Sequence, residues 1–238
     1  MNILMLGSGP SAPICRDWPR APFDRVVAIN NAWQLRDDWD DLVYPYDFPA
    51  DRMPPIATGN LIDQTHFVPA QNAFGGFLYA GATMAFTATY WALHVLRPTT
   101  ISYLGCDMVY PKTGATHFYG KGTADPLRDD PSLRNLPAKS ARAQSYAARQ
   151  GCTLLNLSQG ESTLLFPRAT PGDLTARPLI DTHAMALAER RERDLDYRTP
   201  TGFHDHITPD LDKLDEIDAL WIRAGGSNLP AGKEVRAA

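Results

Sequence analysis

The chain has 238 residues, enough for one large domain or a domain with an appendage, and long enough to bury a sizeable core. Apolar residues make up 44% and charged residues 21%, an ordinary balance for a globular protein. A net charge of -4 lacks the basic footprint of a general nucleic-acid binder, although a local basic pocket for a phosphate stays open.

Ile3-Leu4-Met5-Leu6 is a continuous apolar run delivered to Gly7, the pattern of a strand buried on both faces of a parallel sheet. Arg25 to Ile29 repeats it and ends at Asn30 and Asn31. Leu42 to Tyr44 gives a third strand closed by Pro45, and His66 to Val68 a short fourth. The period then changes. Phe77, Ala80, Gly81, Met84, Ala88, Trp91 and Val95 recur at three- and four-residue steps, which predicts one buried helix with small residues on its packing face, stopped by Pro98. Thr100 to Leu104 is the next strand, again delivered to a glycine. A helix from about Ala138 to Gln150 follows, with Gly151 at its end, and then the strand Cys152 to Ser158.

Strands alternating with helices at this spacing predict an α/β fold: a Rossmann-like, doubly wound and mostly parallel sheet over residues 1–166, with a lid at about 108–135. Residues 167–238 read as a helical and irregular C-terminal extension. There, 181–197 suits an amphipathic helix, "ERRER" at 189–193 reads as its solvated face, 199–226 carries no clear sheet signal, and 227–238 looks like a frayed tail. Cys15, Cys106 and Cys152 are too far apart for a disulfide framework or a zinc site, and buried inert thiols are the expectation for Cys106 and Cys152. The first apolar run is too short for a signal peptide or a membrane span, so a reducing cytoplasm is the expected home. A peripheral membrane contact and a homo-oligomer stay open.

In an open α/β sheet, ligands bind beyond the carboxyl ends of the strands. Three such ends carry unusual residues: Gly7-Ser8-Gly9-Pro10-Ser11, Asn30-Asn31 and Gly105-Cys106-Asp107. A glycine turn lets backbone N–H groups approach a phosphate, and the start of a following helix adds positive potential. The turn lacks the third glycine of the dinucleotide fingerprint, since Ala12 stands there, and no Gly-Lys-Ser/Thr follows as in a P-loop. A plain tight turn is the competing role. Paired asparagine amides can read a ribose or a base edge, or close an Asx turn.

The long segment 105–130 gathers Asp107, Tyr110, Lys112, His117, Tyr119, Lys121 and Arg128, as a lid or binding loop does. His117 is a candidate base, or else a structural histidine bonded to backbone. Asp107 suits a sugar hydroxyl, a metal or a cap, and no second carboxylate lies close by to build a metal site. His183, His204 and His206 lack a third ligand at convincing spacing and read as solvent-exposed.

These stretches together resemble the bacterial sialyltransferases that use CMP-sialic acid, a Rossmann-like family with a lid. The resemblance covers about residues 1–160. It rests on Gly7 to Ser11, the strand-end Asn30, the small-residue helix, Gly105 and Asp107, and the lid motif Thr116-His117-Phe118 with Gly120. It implies that Gly7, Ser8, Gly9, Pro10, Ser11, Asn30, Asn31, Gly81, Gly105 and Asp107 hold the nucleotide, and that the lid tyrosines stabilise the departing phosphate. The chain departs from the pattern at several positions. Lys121 falls where the family has its catalytic histidine, Tyr79 and Ala80 replace a Ser/Thr pair, Tyr46 and Asp47 fall near a family asparagine, and Tyr110 is shifted by one.

The expectation is therefore a glycosyltransferase. It takes a nucleotide-activated, CMP-sialic acid-like donor and a glycan or other hydroxyl acceptor, and needs no cofactor. His117 acts as base, and Tyr110, Tyr119 and Lys121 assist the leaving group. A weaker resemblance, to archaeal 6-hydroxymethylpterin diphosphokinases, implies ATP, Mg2+ and carboxylate ligands, with Asp107 the ready candidate. A non-catalytic nucleotide-binding protein is the third class.

Overall fold

A computed structural model describes residues 1–56, 58–110, 114–121, 129–202 and 207–225. Lys112, Arg128, His204, His206 and the tail 227–238 lie outside these described residues. Six strands form one sheet: β1 (Asn2–Leu6), β2 (Arg25–Ile29), β3 (Asp41–Val43), β4 (Asn60–Ile62), β5 (Thr100–Leu104) and β6 (Thr153–Asn156). Their order is β4-β3-β2-β1-β5-β6, and every pairing is parallel. The chain winds outward from β1 to β4, then returns to the other side of β1. The gap between the carboxyl ends of β1 and β5 is thus the point where winding reverses.

Alternate residues of β1 feed two cores. Ile3 and Met5 face one, Leu4 and Leu6 the other, which is why the strand is apolar throughout. The first core is closed by helices. These are α1 (Gln64–Ala73), α2 (Phe77–Ala80), α3 (Met84–Trp91), α4 (Leu136–Arg149), α5 (Thr182–Leu195) and α6 (Leu211–Gly225). The second is closed by short 3-10 turns at Ala12–Asp17 and Asn30–Leu35 and by loop residues such as Phe23, Trp39 and Ala169.

Two expectations need correction. The segment 66–68 is part of helix α1, and the fourth strand lies just before it at Asn60–Ile62. Asp63 caps the helix by accepting from the Thr65 N–H at 2.9 Å, and Phe67, Val68, Ala70 and Gln71 form its buried face. The expected single helix from Phe77 is broken after Ala80. Gly81 takes φ +87, a left-handed conformation, and a Cβ there would sit 2.9 Å from the Phe86 ring. Thr83 restarts the helix by accepting from the Phe86 N–H, and a π-turn at Ala92–Leu96 ends it.

The C-terminal region is helical, as expected, and α6 supplies a helix in the stretch that carried no clear sheet signal. It docks through buried charge. Arg142 on α4 makes a bidentate pair with Glu192 on α5 at 2.7 Å, donates to the Tyr90 hydroxyl at 2.8 Å and caps the Phe74 carbonyl. Trp221 on α6 donates its indole N–H to the same Glu192 at 2.7 Å. Lys139 and Asp218 form a second buried pair at 2.9 Å. Glu192 therefore departs from the solvated face expected for 189–193, because the packed α4 surface offers it Arg142 as partner. No helix among the described residues is long and apolar enough to cross a membrane.

Candidate functional site

The carboxyl ends of β1, β2 and β5 open onto a crevice of about 240 Å³. Gly7, Ser8, Gly9, Pro10, Asn30, Asn31, Gly105, Asp107, Tyr110, His117 and Tyr119 all line it. Three sequence-selected residues do not. Ser11 turns to Asp107, with its hydroxyl 3.5 Å from Oδ2. Gly81 is buried against Phe86 and Lys139, and Lys121 is exposed outside the crevice. Tyr79 is buried with its hydroxyl donating to the Glu192 carbonyl, so it serves the core.

The glycines of the first turn answer to packing before ligand. The Gly7 N–H donates to the Leu104 carbonyl at 2.9 Å, and the Gly9 N–H to that of Gly105 at 2.8 Å. A Cβ on Gly9 would lie 2.8 Å from the Gly105 oxygen, and one on Gly7 would run into that same carbonyl. Gly105 itself takes φ +72 and faces the Gly7 carbonyl and Ala12 Cβ. The two turns thus interlock backbone to backbone, as close approach without side chains requires. Within the expected amide cradle, Gly7 and Gly9 thus spend their N–H groups on β5 and its turn and Pro10 has none, which leaves the Ser8 and Ser11 N–H groups, and the helix that follows is a 3-10 segment of 6 residues.

Asn30 caps the end of β2 in a left-handed conformation, φ 52, that asparagine tolerates better than most side chains. Its Oδ1 is buried and has no hydrogen-bond partner among the described residues. Asn31 is also buried, and both line the crevice. Across from them, Asp107 is tied down. Its Oδ1 accepts from Asn156 at 3.4 Å, and its carbonyl accepts from the Thr163 N–H at 2.9 Å. Met108 follows at φ 52, a strained conformation for that side chain, of a kind that clusters at functional sites.

Residues 117–120 form a tight turn in which the backbones of His117 and Gly120 exchange bonds of 3.0 Å. The His117 ring stacks on Tyr119 at 4.9 Å, and its Nδ1 lies 2.8 Å from the Thr116 hydroxyl. Burial holds the imidazole pKa below its ordinary value. All three cysteines are buried and free, and burial pushes the Cys15 thiol up to about 11 and Cys106 further. Among the described residues no group of three or more His, Cys, Asp or Glu is placed to share a metal ion, and Asp107 is the only carboxylate lining the crevice.

Sequence reasoning missed Phe48, Arg52, Thr83 and Met84, which also line the crevice. Thr83 and Met84 reach it because the helix breaks at Gly81, and a glycine between two helical stretches was the available signal. Arg52 comes from the loop after β3, where nothing in the local pattern marks it. Comparison of the chain with protein-family models, with curated proteins and with solved structures finds no match.

Proposed function

We propose that the crevice binds a nucleotide-activated sugar and that the protein transfers the sugar to a hydroxyl acceptor. The observation that carries this reading is the buried, unpartnered Oδ1 of Asn30, at the end of β2 in the crevice that the switch point of a parallel sheet opens. A buried acceptor left unpaired costs about 1–3 kcal/mol, and a ribose hydroxyl or a base amino group supplies the missing donor.

His117 is the base. When its Nδ1–H donates to the Thr116 hydroxyl, Nε2 keeps its lone pair. The acceptor hydroxyl gives its proton to Nε2 as its oxygen bonds to the anomeric carbon. The bond from that carbon to the phosphate oxygen breaks, and its electron pair leaves with the nucleotide. Tyr110 and Tyr119 line the crevice, the latter stacked on His117, and are the hydroxyl donors for that oxygen. Lys121, exposed and outside the crevice, has no part in this step.

The test is thermal shift with CMP, UDP, GDP and ATP, each with and without magnesium, followed by incubation of the sugar donors of the binding nucleotide with simple glycans. A raised melting point and a nucleotide product insensitive to EDTA support the reading. Diphosphate transfer from ATP that EDTA abolishes replaces it with the diphosphokinase, and binding with no turnover of any donor reduces it to a nucleotide-binding protein.

A further inference from the structure

We infer that Arg52 is the cation that holds the phosphate of the bound nucleotide. The inference rests on the proposed nucleotide site and deepens it. A phosphate brought into this crevice needs donors or positive charge. The turn carries no charge, its Gly7 and Gly9 N–H groups bond to Leu104 and Gly105, and Pro10 has no N–H, so that it offers only the neutral donors of Ser8 and Ser11. Among the described residues Arg52 is the only lysine or arginine that lines the crevice, and it has no ion pair there.

The backbone of Arg52 is also held in place. Its N–H donates to the Pro49 carbonyl at 3.0 Å in a 3-10 turn stiffened by that proline, and its own carbonyl accepts from the Trp33 indole at 3.0 Å. Trp33 belongs to the same 3-10 segment as Asn30, so the anion-facing loop and the unpartnered amide share one anchor. A planar guanidinium presents paired donors that match two phosphate oxygens.

The experiment is calorimetric titration of the full chain with CMP, UMP, GMP and AMP and with the four corresponding nucleosides. Arg52→Gln weakens binding of the preferred monophosphate roughly 10- to 100-fold and leaves its nucleoside within about twofold, while Arg52→Lys falls between. Added salt weakens the wild type toward the variant. An unchanged monophosphate affinity in Arg52→Gln overturns the assignment and leaves the nucleotide site standing. An equal loss for nucleoside and monophosphate also overturns it, because charge is then not what Arg52 provides. No binding of any monophosphate to the wild-type protein overturns both.

Discussion

The backbone N–H of Phe118 donates to the carbonyl of Ser8 at 2.9 Å, so the segment bearing His117 is pinned to the turn that follows β1. His117, stacked on Tyr119, thus lines the same crevice as Asn30 and Asn31. A positioned base is worth roughly 10²- to 10⁴-fold in rate. His117→Ala therefore lowers turnover by that factor and leaves nucleotide affinity within a few-fold, as steady-state kinetics and calorimetry read separately. Full turnover in the variant removes His117 from the mechanism.

The pH profile follows from the same ring. Burial favours the neutral imidazole, which is the form that accepts a proton, so His117 becomes active as pH rises through a pKa below the ordinary histidine value of about 6.5. Turnover of the wild type loses activity on the acid side with a midpoint under that value and is level from there to neutrality. A midpoint above 6.5 contradicts the assignment.

Asn30→Gly separates binding from folding. Glycine accepts the left-handed backbone at φ 52 and removes the unpartnered Oδ1. Urea unfolding shows stability held to within about 1 kcal/mol, since an unpaired acceptor is lost as backbone freedom is gained. Nucleoside affinity falls about tenfold, the worth of one hydrogen bond to a buried group. Undiminished affinity dissociates Asn30 from the ligand.

Gly9→Ala tests the interlocked turns. The new Cβ lies 2.8 Å from the Gly105 oxygen and 3.0 Å from its Cα, both backbone atoms that cannot step aside alone. The substitution costs about 1–3 kcal/mol of stability, as overpacking does. A unchanged unfolding midpoint would show that the two turns have slack.

Arg142→Met leaves Glu192 buried and without its guanidinium, although the Trp221 indole still donates to it. Breaking one side of such a pair costs about 3–5 kcal/mol, and Arg142→Met combined with Glu192→Leu costs less than Arg142→Met alone. Denaturant midpoints of the two variants, compared with wild type, decide it.

Period and punctuation alone located β1, β2, β5 and β6, because a strand buried on both faces is mostly apolar and β-branched and ends where the chain turns. They also marked the three strand ends that form the crevice, since a parallel sheet places all its carboxyl ends on one edge. Other features depend on partners distant in sequence. Local pattern took 66–68 for a strand, while Asp63 as cap and a buried face make it helix. The Gly7 and Gly9 turn reads as a phosphate cradle, and only the fold shows that Leu104 and Gly105, ninety-odd residues on, take the N–H groups of its two glycines. Glu192 stands among charged neighbours in sequence, and Arg52 in a proline-rich loop with no chemical motif around it. Only packing buries Glu192 against Arg142, and only the winding of the sheet brings Arg52 to the crevice. The periodicity of a segment records which of its faces is buried; what lies against that face is set by the path of the whole chain.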